Sequence, residues 1–146
     1  MQGETPAAAV TRAKAIGAKR AAATQADAND LVAIATAFPT HAVIQCVVGY
    51  VMAGIAACGK TEAVHKLITA GGHRVAVAAL DSSSRNARVL NKACEVLYHI
   101  ARDGGADAKA AIRAVDGVMD KLRQASDVIR AAGEYDYAAK VLARLG

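Results

Sequence analysis

The stretch "VVGYVMAGIAACGKT", residues 47–61, decides the fold. Its last eight residues, "GIAACGKT" (54–61), match G-x-x-x-x-G-K-[ST] at every fixed position. In that pattern a glycine-rich loop after a strand cradles phosphates on backbone N–H groups. Its first ten, "VVGYVMAGIA" (47–56), carry apolar residues at i, i+3, i+4 and i+7, the spacing of one buried helical face. One reading needs a strand running into Gly54, the other a helix running through it.

Outward from this stretch the helical pattern recurs. "KACEVLYHIA" (92–101) and "YAAKVLARLG" (137–146) follow "VVGYVMAGIA" at steps of 45 residues. Val51, Val96 and Val141 form one column. Met52, Leu97 and Leu142 form a second, and Ile55, Ile100 and Leu145 a third. Val48, Ala93 and Ala138 are a small-residue column. The same shift works upstream: Val32, Val77 and Leu122 align, as do Ala35, Leu80 and Ala125, and then Ala22, Leu67 and Ile112. Three apolar segments per 45-residue unit lie in the range of helical solenoid repeats.

The middle unit, "LITAGGHRVAVAALDSSSRNARVLNKACEVLYHIA" (67–101), resembles the armadillo repeat family. Ile68-Thr69-Ala70-Gly71-Gly72 looks like the family's turn between first and second helices. Val77 and Leu80 stand at the second helix's apolar pair, and "NKACEVLYHIA" looks like the third helix. Val115-Asp116-Gly117-Val118 repeats the turn in the next unit, and Gln25-Ala26-Asp27-Ala28 stands there in the first. The resemblance covers roughly residues 20–146, with HEAT-like repeats a close alternative. It implies an all-α, right-handed α-solenoid of about three three-helix repeats. Residues 1–26 would be an N-terminal helical cap or partial repeat, and 27–59 the second and third helices of repeat 1. Residues 60–104 would be repeat 2 and 105–146 repeat 3.

The alternative is a P-loop NTPase fragment. It needs a strand before Gly54, a helix from Thr61 and a second strand at 75–80 closed by Asp81. Shifted by 45, "RVAVAALD" becomes "MDKLRQAS" (119–126), too polar for a buried parallel strand. Residues 84–146 offer no further strand, and "NKAC" (91–94) has Cys where a GTPase base-recognition motif needs Asp. The repeat gives each letter another role. Gly54 lies on the third helix's variable face, Gly59 aligns with Gly104 at a helix end that wants a left-handed residue, and Thr61 N-caps the next helix.

Composition agrees with helices. The chain has 146 residues, 54% of them hydrophobic, with two prolines, no Trp and only 3% aromatics. Much of the apolar content is alanine, the strongest helix former. Cys46, Cys58 and Cys94 are too few and too far apart for a disulfide framework or zinc site; they read as reduced, mostly buried thiols, with Cys58 the most exposed. They point to the cytoplasm, with nucleus and organelles left open. His41, His65, His73 and His99 form no metal motif, and no cofactor is implied. Asp103 and Asp107, or Asp27 and Asp30, sit near expected helix starts, where acids suit the dipole. The acid-free segment 5–26 somewhat resembles a transit peptide, but a packed or capping helix is the favoured reading. No stretch reads as a membrane span.

Function is read from the third helices. Four columns on each are not uniformly apolar: Val43, Val47, Tyr50 and Gly54; Arg88, Lys92, Glu95 and His99; Gly133, Tyr137, Lys140 and Arg144. Stacked third helices would align them into a ladder on the concave side, the surface on which the family binds peptides or partner domains. Gly54, His99 and Arg144 stand where peptide-binding members carry Asn, and Tyr50, Glu95 and Lys140 where nuclear-import receptors carry Trp. A basic ladder is also the wrong sign for a lysine-rich peptide. The expectation is a non-enzymatic scaffold or adaptor taking an acidic or mixed-charge protein or peptide on Val47, Tyr50, Gly54, Arg88, Lys92, Glu95, His99, Tyr137, Lys140 and Arg144. Nucleic acid is the further alternative: net charge is +5, but interleaved aromatics for stacking are missing. The third helix at the chain's end leads to the expectation of a bare apolar end, with self-association through it or a longer array.

Overall fold

The computed structural model describes residues 3–58, 60–82 and 86–146. Among these there are nine α-helices and no strand. In chain order they are α1 (Pro6–Gly17), α2 (Gln25–Ala37), α3 (Ala42–Ala56), α4 (Thr61–Ala70), α5 (Gly72–Ser82), α6 (Ala87–Asp103), α7 (Gly105–Arg113), α8 (Val118–Ala131) and α9 (Tyr137–Leu145). A 3-10 turn, Arg20–Ala22, joins α1 to α2.

Local chemistry sets most boundaries. Thr5 accepts from the Ala8 N–H at 3.2 Å ahead of Pro6, whose missing N–H costs nothing at a helix start. Thr24 and Asp27 form a reciprocal capping box on α2 at 3.1 and 2.8 Å. Asn86 caps α6 through the Val89 N–H, and Asp136 caps α9 through the Ala139 N–H. Gly71 (φ 90°) and Gly117 (φ 70°) take the left-handed conformation between α4 and α5 and between α7 and α8. The anticipated five-residue turn at 68–72 is therefore a single residue, because the helices run up to it on both sides.

Helices one 45-residue step apart pack together. α3 lies against α6 and α6 against α9; behind them α2 meets α5, and α5 meets α8. α4 lies against α7. α1 packs on the other flank of α3, burying Ala9, Ala13 and Ile16. Residues 6–17 are thus a packed helix. α3 is covered on both flanks, which explains its nearly unbroken apolar sequence. Among the described residues no helix is long and apolar enough to cross a membrane. Leu97, Ile100, Leu122, Val141 and Leu145 are buried, as are Val51, Met52 and Ile55.

Polar bonds join the layers. The Thr61 hydroxyl donates to the Asp103 carbonyl at 3.2 Å, and the Gln25 amide to the Lys66 carbonyl at 2.9 Å. Asp81 pairs with Lys121 at 2.8 Å across α5 and α8. The Asn91 carboxamide oxygen of the supposed base-recognition motif accepts from the Tyr137 N–H at 3.3 Å, tying α9 to α6.

Several expectations are corrected. Neither P-loop strand forms: Gly54 lies inside α3, and residues 75–80 are in α5, which packs against α2, α6 and α8. Gly59 lies outside the described residues. Thr61 is the first residue of α4, not its cap; Lys60 occupies the cap position without a side-chain bond. Gly104 is not left-handed (φ −91°); a Cβ there would stand 2.3 Å from the Ala108 Cβ and 2.8 Å from the Ile100 carbonyl, so close packing demands glycine. The left-handed residue is Gly105. Gln25–Ala28 is the first turn of α2 rather than an interhelix turn, because the Thr24 cap starts the helix earlier. Ala22 is exposed in the 3-10 turn, and Ala23 is buried instead. Asp103 is both the last residue of α6 and the residue before the Gly104 cap of α7, and its carboxylate pairs with Arg102. Large exposed apolar side chains among the described residues are Val43, Tyr50 and Tyr135, the last of them within residues 105–146.

Candidate functional site

The anticipated columns fall on three adjoining helices with one exception. Val43, Val47, Tyr50 and Gly54 are in α3, and Arg88, Lys92, Glu95 and His99 in α6. Tyr137, Lys140 and Arg144 are in α9, but Gly133 lies in the turn after α8, at φ 73°. It reverses the chain and belongs to no ladder helix.

One contact and a shared cavity join the α3 and α6 columns. The Lys92 ammonium sits 5.3 Å from the centre of the Tyr50 ring, a cation–π contact. Tyr50, Gly54, Lys92 and Glu95 also line one cavity. Lys92 reaches Glu95 at 3.3 Å, and His99 Nε2 lies 3.8 Å from the same carboxylate. The His99 imidazole, reinforced by Lys92, holds the Glu95 carboxyl below its ordinary range against the opposing effect of burial. The centre of the ladder is therefore internally neutralised: Lys92 is engaged rather than free. Arg88, Lys140 and Arg144 have no carboxylate partner among the described residues.

Towards α9 the face becomes aromatic. Tyr98 packs on Tyr137 with ring centres 5.8 Å apart, and Tyr137 on Tyr135 at 4.9 Å. Arg102 and Arg144 stand over Tyr98 at 5.7 and 5.5 Å, and Lys140 over Tyr135 at 5.9 Å. Burial, with Glu95 nearby, raises the Tyr137 hydroxyl above its usual pKa. Sequence reasoning missed Tyr98, Tyr135 and Arg102. Tyr98 adjoins an apolar column, and Tyr135 precedes α9, so no repeat column contains them. The aromatics judged absent are few but gathered, and each of Tyr50, Tyr98 and Tyr135 carries a cation.

Towards α1 the face opens into a cavity of about 610 Å³. α3 supplies Cys46, Val47, Tyr50, Val51 and Gly54; α6 supplies Lys92 and Glu95. Lys14 and Gly17 of α1, with Arg20 beyond it, also line it, and none of these was anticipated. The 45-residue shift of α3 does not coincide with α1, so the columns could not be extended to it. α1 approaches closely because Gly17 has no side chain: a Cβ there would lie 2.9 Å from Val51.

Burial raises the Cys46 thiol above its ordinary value, although Arg88 and Lys92 pull the other way. Cys94 is fully buried and its thiol is raised more strongly by the same cause. Cys58 and Cys46 are both half-buried, and the Cys58 thiol turns back to the Gly54 carbonyl at 3.3 Å. Among the described residues no group of three His, Cys, Asp or Glu side chains could hold a metal ion. No protein-family model, no curated protein and no solved structure matches this chain.

Proposed function

We propose that this chain is a non-enzymatic protein-interaction module, a right-handed stack of about three armadillo-like repeats that binds an acidic or mixed-charge partner on its concave third-helix face. The observation that carries the reading is the side-by-side packing of α3, α6 and α9 at the 45-residue step. Arg88, Lys140 and Arg144 then share a surface with exposed Val43 and Tyr50. Unpaired cations beside exposed apolar side chains suit a partner offering carboxylates and an apolar group.

Affinity capture with the immobilised chain tests this. Proteins retained at low salt should be released when Arg88, Lys140 and Arg144 are all changed to Glu, with the circular dichroism spectrum unchanged. Equal retention by the variant would place binding elsewhere. The enzymatic alternative has its own check: magnesium-dependent ATP or GTP binding that Lys60→Ala abolishes would overturn the reading.

One observation favours a second reading. A cation over each of three tyrosine rings is the combination of stacking platform and charge that holds single-stranded nucleic acid. Binding of a labelled oligothymidylate, lost on Tyr50→Ala with Tyr135→Ala and steeply weakened by salt, would select it.

A further inference from the structure

We propose that the cavity between α1, α3 and α6 is an anchoring pocket that seats one large apolar side chain of an extended partner segment, with carboxylates flanking that side chain held by Lys14 and Arg20. The inference rests on the protein-binding reading and names the partner's chemistry at one place on the face.

The pocket's shape calls for an apolar group. Its floor is made by Val47, Val51 and Gly54, with the Cys46 thiol beside them kept protonated by burial. Gly54 keeps the floor low, since a Cβ there would meet nothing within 4 Å. A volume of about 610 Å³ lies in the range of ligand pockets. Tyr50, 67% exposed, forms one rim and is steadied by the Lys92 ammonium over its ring. An exposed aromatic beside an open apolar floor is the usual setting of a binding hot spot.

Charge then chooses among apolar ligands. Glu95 is the sole acid among the described residues of the lining, and Lys92 and His99 occupy it. Lys14 and Arg20 have no carboxylate partner among the described residues. Arg20 lines the pocket from a left-handed backbone (φ 50°), a conformation that L side chains adopt at a cost. The wall from α1 is thus positive and the wall from α6 neutral. A segment with acids beside its apolar residue meets two free cations; a basic segment meets the same cations with like charge.

The test is a titration of the 15N-labelled 146-residue chain, followed by amide shifts up to millimolar probe. The probes are a capped acidic pentapeptide with a central leucine, the same peptide with a central glycine, and a lysine-for-acid counterpart of the leucine peptide. The leucine peptide should move the amides of Gly17, Cys46 and Gly54. It should bind about ten- to a hundredfold more tightly than the glycine peptide, the gain expected from burying one leucine side chain. The lysine counterpart should not bind. Gly54→Leu should fill the pocket without disturbing the helix and erase the leucine preference. Lys14→Glu with Arg20→Glu should erase the preference for acids. If both acidic peptides bind equally and move amides only around Arg88, Lys140 and Arg144, the pocket proposal is wrong while the reading of the face stands. If neither acidic peptide moves any amide on α1, α3, α6 or α9, both fall.

Discussion

The two halves of the face use the same helical positions with different side chains. At the α1–α3 end the columns hold Val47, Tyr50 and Gly54, and the neighbouring helix ends in Gly17 and Ala18. Small groups there leave a cavity and two cations without partners. At the α6–α9 end the same columns hold Tyr137, Lys140 and Arg144 opposite Tyr98, and rings and cations fill the space themselves. Corresponding positions on packed helices thus line an open site at one end and a filled one at the other, according to side-chain volume. Stability should reside in the filled layers and binding in the empty one.

The largest expected contrast is between a side chain packed behind the face and one standing on it. Leu97 of α6 is fully buried, and Leu97→Ala should cost about 2–5 kcal/mol. Tyr50→Ala should change stability by less than about 0.5 kcal/mol. Urea denaturation of both variants measures the difference. A comparable loss for Tyr50 would mean that the cavity wall is part of the core.

The glycines sharpen the contrast because they should change sign. Gly104→Ala drives a methyl against Ala108, Val64 and a backbone carbonyl, and should destabilise by about 1–3 kcal/mol. Gly54→Ala sits in an exposed helical position with open space above it and should stabilise by up to about 1 kcal/mol. Thermal melts of the pair decide the point. Destabilisation by Gly54→Ala would show that the pocket is not empty.

Acid should act behind the face rather than on it. His73 of α5 is buried, and its Nδ1 has no hydrogen-bond partner among the described residues. Burial, helped by Arg74, holds its pKa below the ordinary value of 6.5. The unfolded chain therefore takes the proton first as pH falls. The stability that neutral His73 confers is complete above the unfolded pKa and declines below it, with a slope of at most about 1.4 kcal/mol per pH unit. The urea midpoint should fall between about pH 7 and pH 5, less so in His73→Leu. Glu95 and Asp27 are held below their usual values and lose their contribution at more acid pH, so they do not explain a decline in that window. The same slope in His73→Leu would assign it to another group.

The smallest effect concerns single charges. Lys140→Glu removes a cation over Tyr135 but no ion pair, and stability should move by less than about 0.5 kcal/mol. A larger loss in the urea midpoint would mark the tyrosine cluster as structural.

Much of this organisation was legible in the chain. An apolar period of 3.6 within segments and a step of 45 between them are local and additive, so Val51, Val96 and Val141 could be placed inside before any packing was known. Side-chain pairing is neither local nor additive. Lys92 looks free in the sequence, but Tyr50 comes from 42 residues earlier and Glu95 from the next turn, and both engage it. Tyr98 and Tyr135 could not be paired from a repeat in which neither has a column.

The sequence by itself determined that the chain is helical and which stripe of most helices is buried, because composition and periodicity act over a few residues; several helix ends, at Gln25, Thr61 and Gly104, were misplaced from it. It also supplied both readings of "GIAACGKT" without choosing between them by local pattern alone. Tertiary packing chose, since Gly54 lies in a helix covered on both flanks where a phosphate loop needs a strand behind it. Packing also decided the cavity. A void is the space left between helices, and here it depends on how closely α1 approaches α3. That approach is set by the absence of a side chain at Gly17 and the bulk of Val51, residues 34 positions apart.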